Sequence, residues 1–398
     1  MSRTIIPIGP YHPLQEEPEF FQLVVDGEKI VDAVANIGYN HRGIEKLSEL
    51  KSFDQATFVV ERICGICSNS HPLAYVQAVE DIIGADCVIP ERALYIRTVT
   101  AEIERIHSHL LWLGLAGHFL GYNTVYMWAW KEREEILDIL EELTGNRNNY
   151  AMNKIGGVRR DLNKDSFGGV IKRLNKLIEF MVMIKKAVLD DPVLHIRLKG
   201  VGILTQKDCI DYCALGPTSR ASGIAKDVRK DEPYAAYDRI SWNVITQNEG
   251  DVFAKVVVRI LEIFESIDII KQCLRKMPDG PIDAHIKDIP PGEGIGHIEA
   301  PRGECFHYVR SDGSNRPVRH KVRAPTFMNL PTYKQSLIGQ TISDATIILA
   351  AIDPCYCCTE RMTIIDANNK KKTFLSQEEL IRLSQKKTED IKNKMGIK

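Results

Sequence analysis

Two Cys-x-x-Cys steps near opposite ends restrict this chain more than anything else in it. The first lies in Glu61-Arg-Ile-Cys64-Gly-Ile-Cys67-Ser-Asn-Ser-His71. The second lies in Asp353-Pro-Cys355-Tyr-Cys-Cys358-Thr-Glu-Arg361, and 288 positions separate Cys67 from Cys355. Four thiolates gathered in this way make a soft-metal site suited to zinc, nickel, iron or an iron–sulfur cluster. A zinc ribbon places its second pair about 15–20 residues after the first, so here the fold itself has to assemble the site. A chain of 398 residues builds its own core and has little need of zinc to fold. Arg62, His71, Asp353 and Arg361 flank the cysteines and suit a site that handles protons or small polar ligands. From spacing alone, a catalytic metal, an iron–sulfur cluster and a structural zinc all stay open.

Composition removes several classes of function. A hydrophobic content of 44% and a charged content of 26% are those of a globular protein. A formal net charge of −1 gives no electrostatic case for nucleic acid or an acidic membrane surface. No apolar run is long enough to span a bilayer, and the N-terminus lacks a signal-peptide pattern. Ten cysteines in a chain this long are not a disulfide scaffold; they read as reduced thiols of a cytosolic protein. Cys87, Cys209, Cys213, Cys273 and Cys305 are scattered and read as small buried apolar residues.

Phe20 to Ile37 alternates as a β-hairpin with Asp26-Gly27 at the turn. Gly38-Tyr-Asn-His-Arg42-Gly-Ile-Glu45-Lys46 reads by itself as a solvated loop and helix start. Helices are expected from Pro90, where Ile103, Ile106, Leu110 and Leu113 repeat at helical spacing, then over Trp128–Leu143 up to Gly145, and over about 168–188. His107 and His109, two apart, point to opposite sides of their helix and read as structural. Residues 216–237 read as a long ordered loop. Gly250-Asp251 opens an amphipathic helix to Ile270 with Phe253, Val257, Ile260, Leu261 and Phe264 on its apolar side. Turns and a small sheet follow Pro278, then a short helix over Thr341–Ala350. A capping box over Ser376–Glu379 starts a charged final helix. The expected fold is α+β: a mainly helical bundle with an N-terminal hairpin and a smaller C-terminal β region.

Arg62-x-Cys64-Gly-x-Cys67-x-x-x-His71 and Asp353-Pro-Cys355-x-x-Cys358-x-x-Arg361 together resemble the two signatures of the nickel–iron hydrogenase large subunit. Gly38–Lys46, Gly216–Gly223, Arg229–Tyr234 and Glu299–Gly303 resemble its complex-I-related, energy-converting branch, with a look of the methanogen type. The resemblance implies that Cys64, Cys67, Cys355 and Cys358 bind nickel, with Cys67 and Cys358 bridging to an iron that carries carbonyl and cyanide. It implies that Cys357 is a bystander and that His71 hydrogen-bonds a bridging thiolate. Glu45 would pass protons to or from a terminal thiolate, and Arg302 and Asp353 would line the open side. Arg361 stands where soluble relatives have a His that helps hold a magnesium-type ion, which puts a third metal in doubt.

The expected enzyme is the catalytic subunit of a peripheral complex on the cytoplasmic side of the membrane, coupling hydrogen and ferredoxin chemistry to ion translocation. Its partners would be a small subunit with a four-iron cluster, integral membrane subunits, ferredoxin and maturation proteins. Residues 1–361 would form one catalytic domain, and the tail 362–398 would be a segment that maturation can remove. The competing readings are a metal-free scaffold of the complex I kind, with a quinone cavity, and a structural zinc or iron–sulfur protein.

Overall fold

The structure, a computed structural model, describes residues 3–13, 15, 17–359, 364–365, 372–373 and 377–396. Strands β1 (Thr4–Ile8), β2 (Phe20–Asp26) and β3 (Lys29–Asn36) form an antiparallel sheet in that order. The expected hairpin is β2–β3, with Gly27 at φ 63 in the turn, and β1 extends it. Phe21, Leu23 and Val25 alternate inward, which is why this run takes a strand period.

Helices α1 (Ile44–Glu49), α2 (Phe53–Glu61) and α3 (Ser70–Ile83) follow, with the first cysteine loop between α2 and α3. The body is α4 (Glu91–Phe119), α5 (Asn123–Thr144), a short hairpin β4 (Asn153–Lys154) and β5 (Gly157–Val158), then α6 (Phe167–Asp190) and α7 (Pro192–Leu198). Helix α5 starts five residues before the expected Trp128 and ends, as expected, against Gly145 at φ 81. The stretch expected to be a loop contains two short helices, α9 (Gly216–Arg220) and α10 (Val228–Asp231), preceded by α8 (Gln206–Asp211). Helix α11 (Val252–Lys276) begins at Asp251, whose carboxylate accepts the Ala254 N–H at 2.8 Å.

A second antiparallel sheet, β6 (Pro291–Ala300), β7 (Gly303–Asp312) and β8 (Arg319–Arg323), fulfils the expected C-terminal β region. Helices α12 (Pro325–Asn329), α13 (Thr332–Leu337), α14 (Ile342–Ala351) and α15 (Tyr356–Thr359) lead through the second cysteine loop. Beyond it, β9 (Ile364–Ile365) pairs with β10 (Lys372–Thr373) ahead of α16 (Gln377–Met395). Arg361 and Ser376, the expected cap of the final helix, lie outside the described residues.

Helices α4 and α11 lie side by side at the centre. Ile103, Ile106, Leu110 and Leu113 are buried as the spacing predicts, but so are Glu102, Glu104 and Arg105 between them. Helix α11 departs from the amphipathic expectation in the same way. Phe253, Val257, Leu261 and Phe264 are only half-buried, whereas Lys255, Arg259 and Glu262 are inside. Buried charge survives there because partners from distant segments meet it. Arg220 reaches Glu262 at 2.8 Å and Glu299 at 2.7 Å, and Arg229 reaches Asp227 at 2.6 Å and Glu102 at 3.0 Å.

One packing contact sets the height of the site. Strand β6 alternates glycine along the face that α3 covers; a Cβ at Gly294 or Gly296 would sit 2.0 Å from the Ala78 or Ala74 carbonyl oxygen. Only glycine lets the helix lie this close to the strand. The contact brings the N-terminus of α3, with His71, down onto β7.

Candidate metal centre

Each cysteine loop is held by its own hydrogen bonds before any metal is considered. In the first, Cys64 Sγ accepts the backbone N–H groups of Ile66 (3.4 Å) and Cys67 (3.3 Å). Glu104, from the middle of α4, accepts the N–H groups of Asn69 and Ser70 and the Ser70 hydroxyl. It thereby caps α3 from another helix. Burial pushes its carboxyl up to about 8 despite these donors.

In the second loop, the carbonyls at the end of α14 are tied to the central helices. Trp112 Nε1 donates to Ala350 O at 2.7 Å and Arg259 donates to Ala351 O at 3.1 Å. Asp353 then adopts φ 55, a left-handed conformation unusual outside glycine, and Cys355 N donates to Thr326 Oγ1 at 3.0 Å. Arg42 joins the two loops: its guanidinium donates to the carbonyls of Arg62 (2.9 Å), Ile63 (2.5 Å) and Cys357 (3.3 Å). The charged segment that looked solvated by itself is a clamp.

The sulfurs converge, with two differences from expectation. Cys64, Cys355, Cys357 and Cys358 place their Sγ atoms within 4.8 Å of one another. Cys357, expected to be a bystander, is thus inside the cluster, because the single turn of α15 carries it beside Cys358. Cys67 stands just outside that set, on the Arg302 side. Cys355 and Cys358 are paired as a disulfide, where reduced thiols were expected; residues three apart on one helical turn aim both sulfurs at a single point, as shared metal ligands also would. A bond from Cys357, then one from Cys67 and the charge of Arg302, hold the Cys64 thiol well below the usual range. Donation to Cys64, together with burial, pushes Cys67 and Cys357 up.

Arg302 and Asp353, expected to line the open side, are both fully buried and paired with each other. Arg302 Nη2 is 2.7 Å from Asp353 Oδ1, Nε donates to the Asp353 carbonyl at 2.8 Å, and Nη1 reaches Cys67 Sγ at 3.4 Å and Ser108 Oγ at 3.4 Å. Gly216, at φ 66, makes room for this turn: a Cβ there would lie 2.3 Å from the Arg302 carbonyl oxygen. Glu45 lines a pocket of about 170 Å³ together with Arg42, Glu49, Arg319, Cys357 and Cys358. Its carboxylate is held by Lys321 Nζ (2.7 Å) and the Val322 N–H (3.0 Å), at the edge of β8.

His71 is buried, and burial lowers it to about 4. Its Nδ1 lies 3.0 Å from His307 Nε2 and 3.4 Å from Cys305 Sγ. His107 accepts from Arg133 Nε at 3.0 Å, and His109 Nε2 meets Glu262 at 2.8 Å; both are structural by these contacts. Cys209, Cys273 and Cys305 are buried as expected. Cys213 is instead exposed in a left-handed turn, and Cys87 is half-buried.

The residues fit a soft metal. Thiolates are the ligands nickel shares with zinc and iron, and backbone N–H groups and Arg302 are already aimed at the sulfurs. Among the described residues, no helix is long and apolar enough to cross a membrane.

Comparison with known proteins gives the family. The model for the 49 Kd subunit of respiratory-chain NADH dehydrogenase matches residues 120–289 and 284–361, and that for nickel-dependent hydrogenase matches 42–158. Membrane-bound hydrogenase subunit alpha of Pyrococcus furiosus is 41% identical over 97% of this chain and 93% of its own length. The carbon monoxide-induced hydrogenase of Rhodospirillum rubrum is 42% identical over 91% of this chain and 100% of its own length. A solved structure of a membrane-bound sulfane sulfur reductase, an archaeal respiratory membrane complex, superposes with a TM-score of 0.85 at 32% identity. It covers 90% of this chain and 98% of that one. The protein belongs to the family of nickel-dependent hydrogenase large subunits and the respiratory-chain 49 Kd subunit.

Proposed function

We propose that this chain is the catalytic large subunit of a nickel–iron hydrogenase in a membrane-associated, energy-converting complex. One observation carries the reading: sulfurs from both ends of the chain converge beside a buried Arg302–Asp353 pair. Cys64, Cys67, Cys355 and Cys358 would hold nickel, with Cys67 and Cys358 shared with an iron bearing carbonyl and cyanide. When bound, that centre supplies the heterolytic cleavage and formation of dihydrogen.

The protein's part is charge and protons. Arg302, dry and 3.4 Å from Cys67 Sγ, favours negative charge on that sulfur. Glu45 shares the pocket with Cys358, is paired with Lys321, and takes the leaving proton. Among the described residues the only cysteine cluster is the metal site itself. Electrons therefore leave through a small subunit with a four-iron cluster, toward ferredoxin, and ion transport belongs to integral membrane subunits. The chain sits peripherally on the cytoplasmic face. Residues 1–361 act as one catalytic domain, and the tail 362–398 is a substrate for the maturation proteins.

The match to the 49 Kd subunit supports a second reading, a metal-free scaffold around a quinone cavity. Retention of all four cysteines favours the hydrogenase. Cys358→Ser in the native complex decides between them. The hydrogenase reading expects hydrogen-dependent dye reduction to vanish with folded protein retained, and unchanged activity would refute it.

A further inference from the structure

The second cysteine loop carries one thiol more than a four-cysteine centre needs. Cys357 Sγ stands with those of Cys64, Cys355 and Cys358, all within 4.8 Å of one another, whereas Cys67 lies outside that set. Cys355 Sγ is 3.1 Å from Cys64 Sγ and 3.6 Å from Cys357 Sγ. The backbone of Cys357 is fixed on both sides of its side chain. Its N–H donates to Glu17 Oε2 at 2.7 Å, and its carbonyl accepts from Arg42 at 3.3 Å. Cys67 is engaged elsewhere, with Arg302 Nη1 3.4 Å from its Sγ. The chain thus offers two sets of four thiols that share Cys64, Cys355 and Cys358.

The set that contains Cys357 has the dimensions of a single tetrahedral ion. Zinc–thiolate bonds of ~2.3 Å hold their sulfurs ~3.8 Å apart. Cys64 and Cys357 then need to draw back from Cys355 by less than about 1 Å, which small χ1 rotations supply. A four-iron cluster places irons and sulfides between its cysteines and does not fit inside 4.8 Å. The Cys355–Cys358 bond has to open first: a thiol or phosphine reductant gives two electrons, and two protons complete the two thiols. Binding then forms four metal–sulfur bonds and releases the thiol protons to solvent. The N–H groups of Ile66 (3.4 Å) and Cys67 (3.3 Å) already donate to Cys64 Sγ and favour its thiolate. Cys357 and Cys358 line the pocket of about 170 Å³, which gives an ion its way in.

We infer that Cys64, Cys355, Cys357 and Cys358 form a closed zinc site in the chain that has not received nickel, with Cys357 as fourth ligand in place of Cys67. Protein sulfur then fills every position on the ion, the arrangement of a structural site and not of a catalytic one. Three of the sulfurs expected on nickel are occupied, so zinc held there competes with nickel insertion. That consequence rests on the hydrogenase reading; the zinc site does not.

The test uses the full chain made without maturation proteins, reduced with a phosphine, stripped of metal and titrated with cobalt(II) and then zinc. One ion per chain is expected, with the visible spectrum of cobalt in four tetrahedral thiolates, displaced by zinc. Cys357→Ser should turn this into a three-thiolate spectrum and weaken zinc binding at least about a hundredfold, more than the loss of a residue that merely supports a ligand. Cys67→Ser should leave spectrum and affinity unchanged. The reverse pattern, with Cys67→Ser damaging and Cys357→Ser silent, overturns the inference, as does a wild-type chain that binds no ion. A spectrum of mixed nitrogen and sulfur ligation also overturns it, placing the ion at His71, Cys305 and His307. Should Cys357→Ser fail to fold, Cys67→Ser decides alone: four thiolates kept without Cys67 leave Cys357 as the fourth in reach among the described residues. In the native host, excess zinc should lower nickel per folded subunit severalfold in wild type and less in Cys357→Ser. Equal loss in both sinks the competition alone. Absence of carbonyl and cyanide infrared bands from the wild-type complex sinks the hydrogenase reading and leaves the zinc site standing.

Discussion

Removing the Arg302 guanidinium should destabilise the chain through the partner it leaves behind. Arg302→Met keeps the aliphatic volume but deletes the 2.7 Å ion pair to Asp353, the 2.8 Å bond to its carbonyl and the 3.4 Å contact to Cys67. Asp353 is wholly buried, so its carboxylate loses its direct partner and keeps only the charge of the buried Arg259. Breaking a buried pair on one side costs about 3–5 kcal/mol. Asp353→Asn neutralises the same carboxylate and tolerates φ 55, since asparagine enters the left-handed region readily. It should cost about 2–3 kcal/mol, mostly the unsatisfied guanidinium. In the double variant neither charge is stranded, so the combined cost should fall at least about 1.5 kcal/mol short of the sum. The assay is urea unfolding of the full, metal-free chain, where each kcal/mol moves the midpoint by a few tenths of a molar. Additivity within about 0.5 kcal/mol would refute the claim that this pair is one electrostatic unit.

Three further outcomes follow from the same contacts. Arg42→Met should uncouple the cysteine loops and lower nickel retention at least tenfold in the native complex, measured as metal per folded subunit; full occupancy would show that Arg42 is no clamp. Gly296→Ala drives a Cβ to 2.0 Å from the Ala74 carbonyl and should cost more than about 2 kcal/mol by urea midpoint, whereas Gly121→Ala, with open space but φ 85, should cost only backbone strain of about 1 kcal/mol. Glu104, pushed from 4.5 up to about 8, binds its proton more tightly when folded. Its contribution is complete below about pH 4.5 and is lost as pH rises through about 8. Wild type should therefore lose up to about 1.4 kcal/mol per pH unit relative to Glu104→Gln across this window; parallel stability curves from pH 5 to 8 would contradict this.

The sequence made the ends of the site legible because local chemistry writes them. Asp26-Gly27 sets a turn, Asp251 caps a helix, Gly145 stops one, and Cys-x-x-Cys puts two sulfurs on one turn. What stayed hidden is held by residues far apart in the chain. Glu102, Glu104 and Arg105 look like the wet side of α4 because their buried partners lie as much as 195 positions away. His307 sits between Phe306 and Tyr308 on β7 and His320 between Arg319 and Lys321 on β8, and nothing local says that α3 will lay His71 over them. Cys357 joined the cluster for the opposite reason: family resemblance set it aside, whereas a one-turn helix cannot keep it away from Cys355 and Cys358. The stripe of Gly292, Gly294 and Gly296 was the readable clue to the close helix–strand contact, and it went unused.

The central claim is most directly tested by the infrared spectrum of the complex carrying this chain, purified from its native host. Carbonyl and cyanide stretches that vanish in Cys358→Ser are the predicted result. A folded, complete complex that shows no such bands would contradict the account and leave the 49 Kd-like scaffold in its place.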